Sequence, residues 1–453
     1  MEQAEQGSLN AGRKGEYARK RVIFLVLGSL SLLLIGVINA WSIFSEPICG
    51  DMGWNTQDMS KTFLISIIAF CVGCLLSSVV QTKCKGEPRV PIVLGAVLMA
   101  AGFLAAAYAP MGQMGIFLFY GVVAGLGEGF AFNAIIPTVN LWFPDRVGIA
   151  SGVQMFCYTS SPLFLGIPLD SVMSAVGWRA AFVGLAVAFL VLLIVCAAVA
   201  KMPPYNIGEF FQAPTAANAD AVDVAGADDD ATGADKRTKN PHYRTDFGVS
   251  ATSFTMAQAM KSKTFWVGLA WFITVGAVAL TLVGESKQDA LSLGVATSMA
   301  TLLAGLVAVG EGCASIVYGF FLDRFGLMNL VRLVTGLAIV ATGLITLAFF
   351  VGNGTIFFVG AILLTCGYGG LPIFSAAFAL NRFGRDYYSV NYAVATTWLS
   401  IASVLSMIIT PFLLAAGGLL LMYGAFFILG IVGVFIMFAF VAMYRKDMDK
   451  LVE

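Results

Sequence analysis

The stretch AAFVGLAVAFLVLLIVCAAVA, residues 180–200, carries no charged side chain. An α-helix needs about 20 predominantly apolar residues to cross the hydrocarbon core of a bilayer. Strands of membrane barrels instead alternate over about ten residues, so continuous runs of this kind indicate helical spans. We predict twelve such spans, at 22–44, 62–81, 90–109, 114–137, 149–171, 180–200, 264–283, 295–321, 333–351, 355–380, 389–414 and 418–443.

The composition agrees with an all-α integral membrane protein. Of the 453 residues, 59% are hydrophobic and 11% are charged, which is more apolar than a soluble domain. The first span is long for a cleaved signal peptide, and no small-residue cleavage site follows it, so we expect it to be retained. The sequence therefore predicts a multi-pass protein of the cell membrane, of prokaryotic type and in contact with lipid.

The basic residues indicate the orientation of the chain. All 26 Lys and Arg residues lie outside the twelve apolar stretches, and all but Lys61, Arg179 and Lys287 fall in alternate connecting segments and the two tails. Because cytoplasmic loops carry the excess of Lys and Arg, both termini are predicted to be cytoplasmic.

The segment at 202–263 divides the chain into two sets of six spans. It is rich in Ala, Asp, Gly and Thr, and such a composition cannot bury enough surface to fold alone. Residues 253–263 at its end suggest a short interfacial helix. The predicted organisation is a cytoplasmic tail at 1–21, a six-helix bundle at 22–201, a largely disordered linker at 202–263, a second bundle at 264–444 and a cytoplasmic tail at 445–453.

A signature follows predicted span eight. The string GFFLDRFG at 319–326 is similar to the G-x-x-x-D-R-x-G motif that the major facilitator superfamily carries at this place. The resemblance implies two six-helix bundles that rock around a midplane site, in a monomer. It also implies cytoplasmic gating loops, for which the candidates are Gly319, Asp323, Arg324 and Gly326 here and Asp145 and Arg146 between spans four and five. Asp323 can cap or pair across the gate while Arg324 stays in water.

A narrower resemblance is to the oxalate:formate antiporter family. It rests on WSIFSEPI at 41–48, NLWFPDRVGIASG at 140–152 and MKSKTFW at 260–266. That family neutralises its dicarboxylate with basic residues on spans eight and eleven. Here both spans lack them, and Leu399 lies near the position of the family's lysine, which argues against oxalate and other dianions.

Two glutamates, Glu128 and Glu311, lie deep inside predicted spans four and eight. An ionised carboxylate at mid-bilayer costs at least about 3 kcal/mol, so it persists where it faces a cavity, has partners or is protonated. With no basic residue inside the membrane, the protonated form is favoured. Each glutamate is therefore a candidate to bind a cotransported proton or a cationic substrate. The alternative is a structural hydrogen bond to a neighbouring helix.

Other polar residues in the spans are candidates to line the substrate cavity. The set comprises Asn39, Asn133, Tyr158, Tyr368 and Trp398. Such residues also form hydrogen bonds between helices, and that is their alternative role.

No metal, cofactor or catalytic site is predicted, because histidine clusters, phosphate-binding loops and nucleophile motifs are missing from the sequence. Nucleic acid is not an expected partner, and we do not expect an enzyme.

The leading hypothesis is a secondary active transporter that moves a small monocarboxylate by alternating access, with a proton on Glu128 or Glu311. Symport and antiport both remain open. The alternatives are a transporter of an amine-containing or neutral solute, and a membrane sensor that does not transport.

Overall fold

The computed structural model describes residues 2–54, 59, 61–108, 111–204, 207–211 and 253–452. Every regular element within these residues is helical, as the sequence predicts. Most of the predicted linker, including its acidic run, lies outside the described residues.

The first half of the chain, up to residue 204, folds into one group of helices. In chain order they are α1 Glu2–Ile35, a 3₁₀ turn Gly36–Ala40, α2 Trp41–Met52, α3 Lys61–Lys83, α4 Arg89–Tyr108, α5 Gly112–Gly115, a π-helix Ile116–Ala124, α6 Gly125–Trp142, α7 Val147–Thr159, α8 Ser161–Val176 and α9 Trp178–Val199. Its core is a cluster of aromatic rings, in which Phe103 and Phe182 lie 4.9 Å apart between centroids.

The second half, from residue 253 onwards, forms the other group. After the short α10 Ile207–Phe211, its helices are α11 Met256–Lys261, α12 Lys263–Ser292, α13 Thr297–Phe325, α14 Leu327–Val351, α15 Gly354–Tyr368, α16 Gly370–Phe383, α17 Tyr388–Thr396 and α18 Trp398–Val452. Helix α11 begins with a capping box between Thr255 and Gln258 and lies where the sequence suggests an interfacial helix.

Ten of the described helical segments are long and apolar enough to cross a membrane, two fewer than the predicted twelve. Predicted span five is divided into α7 and α8, of 13 and 16 residues, so neither reaches spanning length. Predicted spans eleven and twelve fall in one segment, Tyr388–Met448. Non-helical backbone at Gly417 and Gly418 interrupts it. The count of twelve and the orientation of the termini therefore remain predictions.

The division of predicted span five has a local cause. Pro162 is the second residue of α8, and proline has no N–H to donate to the carbonyl of Tyr158 four residues earlier. Ser160 between the two helices has φ −83° and ψ 1°, outside the regular helix. The chain therefore bends at this point, within the membrane.

The two halves contact each other at the end of the bundle where residues 143–146, Gly326 and Gly384 lie. We call this the linker end, and the sequence predicts that it faces the cytoplasm. Here α7 of the first half packs against α13 of the second half through glycines. A Cβ atom on Gly319 would lie 2.2 Å from the carbonyl oxygen of Gly148. The two helix backbones are thus in direct contact, and the bundle is closed at this end.

Candidate functional site

Interruptions in several helices meet near the middle of the bundle. The 3₁₀ turn Gly36–Ala40 packs on the break in predicted span five, because a Cβ atom on Gly36 would lie 2.4 Å from the carbonyl oxygen of Tyr158. In the second half, Gly369 separates α15 from α16, and a Cβ atom there would lie 2.5 Å from the carbonyl oxygen of Glu311. Membrane transporters form their midplane sites from such discontinuous helices. Both glutamates lie beside these breaks.

Glu128 is enclosed within the first half. It lies in the first turn of α6, directly after the π-helix, and its side chain is 2% exposed. The hydroxyl of Tyr158 donates a hydrogen bond of 2.9 Å to its carboxylate. The structure thus brings together two of the predicted site residues, and the carboxylate of the pair is buried.

The glycines near Glu128 have a packing role. Gly125 and Gly129 face α3, where Cβ atoms on them would lie 2.8 and 2.1 Å from the carbonyl oxygens of Ser66 and Phe70. This close approach of α3 and α6 leaves little room for a substrate on that side of the helix.

Glu311 lies in a different environment. Its side chain is partly accessible, and within the described residues nothing forms a hydrogen bond or an ion pair with its carboxylate. Ser315 and Tyr318 on the same side of α13 are buried, and the Ser315 hydroxyl donates to the carbonyl oxygen of Gly369 at 3.1 Å. This face of α13 therefore points into the bundle towards α15 and α16.

Tyr368 lies near Glu311, and Trp398 packs on Tyr368. Tyr368 is the last residue of α15 and is within electrostatic range of the Glu311 carboxylate. Its ring meets that of Trp398 edge to face, with 6.1 Å between centroids. Trp398 follows the break at Thr397 and stacks on Phe272 at 5.7 Å. The second half thus places a carboxylate next to Tyr368, which in turn packs on a second aromatic residue, Trp398.

Asn133 joins the two halves on the linker side of the glutamates. Its side-chain amide donates to the hydroxyl of Ser389 at 3.1 Å, and the amide of Asn140, two helical turns further along α6, donates to the Tyr388 hydroxyl at 2.9 Å. These bonds hold α6 against α17. The side chain of Asn39, the remaining predicted cavity residue, lies outside what the structure describes; its backbone is in the 3₁₀ turn.

The candidate gating residues of the 319–326 signature lie at the contact between α7 and α13. The Asp323 carboxylate accepts hydrogen bonds from the backbone N–H groups of Gly148 and Ile149, at 2.7 and 2.8 Å. Arg324 is exposed, as predicted from its place in the motif. Gly326 has φ +83°, a conformation that favours glycine, and it begins the turn into α14.

The other two gating candidates are placed differently. Asp145 forms an ion pair of 2.9 Å with Arg21 of the first half, whose guanidinium lies 3.9 Å from the ring of Phe211. Arg146 is largely exposed and lies 3.9 Å from the Asp145 carboxylate. The structure therefore places this pair inside the first half, where it anchors the N-terminal helix to the 142–147 turn.

Beyond the gate, a cavity of about 550 Å³ lies at the linker end. Residues of both halves line it, among them Gln81, Lys85, Arg385 and Tyr388, and neither glutamate does. The contacts of Asn133, Asn140, Tyr388 and Ser389 separate this cavity from the glutamates.

Sequence reasoning missed the residues of the second half that close the linker end. Tyr388 ends the string LNRFGRDYY at 380–388 and Ser389 follows it; the likeness of this string to the 140–152 loop is visible in the sequence. That likeness identifies the segment as the second-half counterpart of the 140–152 loop. It does not reveal which side chains face Asn133 and Asn140, because pairing between distant helices is set by packing.

Comparison with known proteins identifies the fold and the family. Residues 22–406 match the sequence profile of the Major Facilitator Superfamily. The oxalate:formate antiporter of Oxalobacter formigenes is 24% identical over 387 residues, covering 82% of this chain and 80% of that one. Monocarboxylate transporter 1 of Homo sapiens is 30% identical over 166 residues, or 36% of this chain and 31% of that one.

Solved structures share the fold at low sequence identity. The proton:xylose symporter XylE bound to 6-bromo-6-deoxy-D-glucose superposes with a TM-score of 0.68 at 15% identity, covering 94% of this chain and 96% of that one. The fucose:proton symporter FucP of E. coli gives a TM-score of 0.61 at 13% identity, covering 94% and 99%. The resemblance noted in the sequence is confirmed.

Proposed function

Because the chain belongs to the major facilitator superfamily of transporters, we propose that it carries a small monocarboxylate by alternating access, coupled to a proton on Glu311. The membrane location and the transporter class follow from the family. The substrate class, the proton and the assignment to Glu311 are the proposal.

The assignment of the proton to Glu311 is based on the different exposure and hydrogen bonding of the two glutamates. Glu128 is 2% exposed and already accepts a hydrogen bond from Tyr158. Glu311 is partly accessible and has no polar partner among the described side chains. A group that exchanges protons with the solution must be accessible, and a mid-membrane carboxylate without a cation is stable when it is protonated. Glu311 meets both conditions.

The absence of fixed cations supports a monoanion. Predicted spans eight and eleven carry no Lys or Arg, and Leu399 lies near the position of the lysine in the oxalate:formate antiporter family. A monocarboxylate that binds together with one proton brings no net charge into the membrane, whereas a dianion would bring one uncompensated charge. The similarity to a carboxylate antiporter and to monocarboxylate transporters favours the same class.

The closed linker end supplies one of the two states that alternating access requires. Asp323, Gly319 and Ser389 form contacts between the halves that must break when the site opens to that side. We infer that the described conformation is the one closed towards the linker end, with release on that side after the halves rock apart.

Proteoliposomes test the proposal. Purified protein is reconstituted, a pH gradient is applied with the membrane potential clamped, and uptake of ¹⁴C-labelled formate, acetate and lactate is measured. We expect acid-driven accumulation of at least one of them, and Glu311→Gln should abolish the pH-driven part while exchange across equal pH persists. Glu128→Gln is the matched control and should keep the acid-driven uptake. Wild-type protein that moves none of the three would contradict the proposal.

A second candidate is transport of an organic amine. The observation in its favour is that an unpaired carboxylate, Glu311, lies with the aromatic residues Tyr368 and Trp398, and carboxylates and aromatic rings both attract organic cations. In the same vesicles, uptake of ¹⁴C-methylamine that Glu311→Gln eliminates would favour this candidate over the monocarboxylate.

A further inference from the structure

Three polar groups of the second half have no hydrogen-bond partner among the described residues. They are the Glu311 carboxyl, the Tyr368 hydroxyl and the indole N–H of Trp398. Tyr368 links the other two, since it lies in electrostatic range of Glu311 and its ring centroid is 6.1 Å from that of Trp398.

Of the three groups, the indole N–H of Trp398 gives the strongest indication of a missing ligand. It is 2% exposed, yet its Nε1 has no partner. A Cβ atom on Gly276 of α12 would lie 2.6 Å from Cζ3 of the indole, so the six-membered ring faces α12. The N–H lies on the opposite edge and points away from α12.

A buried N–H without a partner costs about 1 to 3 kcal/mol, which a bound acceptor would recover. Trp398 can only donate, the Tyr368 hydroxyl can donate, and Glu311 donates when it is protonated. Three donors that neighbour one another through Tyr368 complement an acceptor with several lone pairs, such as a carboxylate.

Building on the proposed function, we propose that the substrate's carboxylate is bound by neutral donors, the Trp398 N–H, the Tyr368 O–H and the protonated carboxyl of Glu311. These donors replace the basic residues that the oxalate:formate antiporter family carries on spans eight and eleven. Leu399 lies near the position of that family's lysine on span eleven. The residue before it is Trp398, whose indole N–H has no partner, so the unpartnered donor is adjacent to the position where the family's basic residue is missing.

This arrangement makes proton binding a condition of substrate binding. One proton from the solution binds a Glu311 oxygen, and the resulting O–H donates to the substrate; the proton leaves Glu311 after the substrate has left. An ionised Glu311 would repel the carboxylate, because two like charges at close range strongly disfavour each other in the membrane interior. The loaded site holds a single negative charge, shared over three hydrogen bonds.

Binding measurements on the purified, full-length protein test the inference. Calorimetric titration with formate at pH 5.5 and 7.5 is repeated for Trp398→Phe, Tyr368→Phe and Glu311→Gln. Loss of a hydrogen bond to a charged group corresponds to roughly a 10-fold to 100-fold weaker Kd for each aromatic variant. Trp271→Phe is the matched control, because the Trp271 N–H is satisfied by Thr335 at 2.9 Å within the core, and it should leave the Kd of formate unchanged.

Glu311→Gln tests whether the substrate is bound by a neutral donor at position 311. The amide can donate as the protonated acid does, so formate binding should persist and lose its dependence on pH between 5.5 and 7.5. Loss of formate binding in Glu311→Gln, or unchanged Kd values in both Trp398→Phe and Tyr368→Phe, would overturn the neutral-donor site. If wild-type vesicles still accumulate formate in that case, the proposed function stands and this inference alone fails. If wild-type protein neither binds nor moves formate, acetate or lactate, both fail. Circular dichroism and gel filtration confirm that each variant is folded.

Discussion

The Asp323 carboxylate accepts a hydrogen bond of 2.7 Å from the backbone N–H of Gly148, and the two residues belong to different halves of the protein. Gly148 is in the first turn of α7, where backbone N–H groups have no partner within the helix. The carboxylate therefore caps the positive end of a helix across the closed linker end. It can do so only while α13 and α7 are in contact.

Removing this cap is expected to open the linker end. Asp323→Asn keeps the size of the side chain but leaves one oxygen to accept two hydrogen bonds. Deuterium exchange of the Gly148 and Ile149 amides should therefore become faster, and uptake should fall. Asp145→Asn is the control, since Asp145 pairs with Arg21 inside the first half. Equal protection of the two amides in wild-type protein and Asp323→Asn would show that the cap does not hold the gate.

The glycine contact beneath the cap gives a second prediction. Gly319→Ala places a methyl group 2.2 Å from the Gly148 carbonyl oxygen, so α7 and α13 must move apart. We expect a several-fold loss of uptake and faster exchange of the Gly148 amide. Gly310→Ala on the same helix meets nothing within 4 Å and should transport normally. If both alanine variants transport alike, close packing at Gly319 is not needed for the cycle.

A buried carboxyl outside the membrane-spanning part predicts the pH dependence of stability. Asp289, at the end of α12 opposite the linker end, is 3% exposed and accepts a hydrogen bond from the Tyr423 hydroxyl. Burial raises its pKa to about 6; the Tyr423 hydrogen bond lowers it, and the neighbouring Glu285 raises it. Between the ordinary aspartate pKa and about 6, the folded protein therefore binds more protons than the unfolded chain, and stability falls as the pH rises through this range.

The measurement is the unfolding temperature in detergent from pH 4 to 7. Wild-type protein should lose on the order of 2 kcal/mol of stability across this range through Asp289. Asp289→Asn should remove that part of the pH dependence, whereas the exposed Glu285→Gln should keep most of it. A pH profile of Asp289→Asn parallel to that of the wild type would contradict the assignment.

The sequence predicted the helical membrane class and the family, because hydrophobic length and a local motif determine them. It predicted the same proton-binding or substrate-binding role for both glutamates, since each is a lone carboxylate in an apolar run. What distinguishes Glu128 from Glu311 is a hydrogen bond from Tyr158, thirty residues away, and the greater exposure of Glu311. Neither follows from local pattern, because both depend on how the bent helices pack.

The continuity of individual helices was equally hard to predict. Hydropathy treats 149–171 as one span, although Pro162 and Ser160 interrupt it. Hydropathy averages over such points, and the conformational cost of one proline is decided by the neighbouring helices that accommodate the bend.

The pair of Glu128 and Tyr158 yields the last prediction. Tyr158→Phe removes the hydroxyl that donates to the buried carboxylate, which should cost about 1 to 3 kcal/mol of stability and lower the unfolding temperature. Glu128→Gln retains an oxygen that can accept from Tyr158, so its unfolding temperature should stay close to that of the wild type, with acid-driven uptake intact. Tyr387→Phe, at an exposed tyrosine, is the control for loss of a hydroxyl. A Tyr158→Phe variant as stable as Tyr387→Phe would show that the hydrogen bond does not stabilise the fold. Loss of acid-driven uptake in Glu128→Gln would assign the coupled proton to Glu128 instead of Glu311.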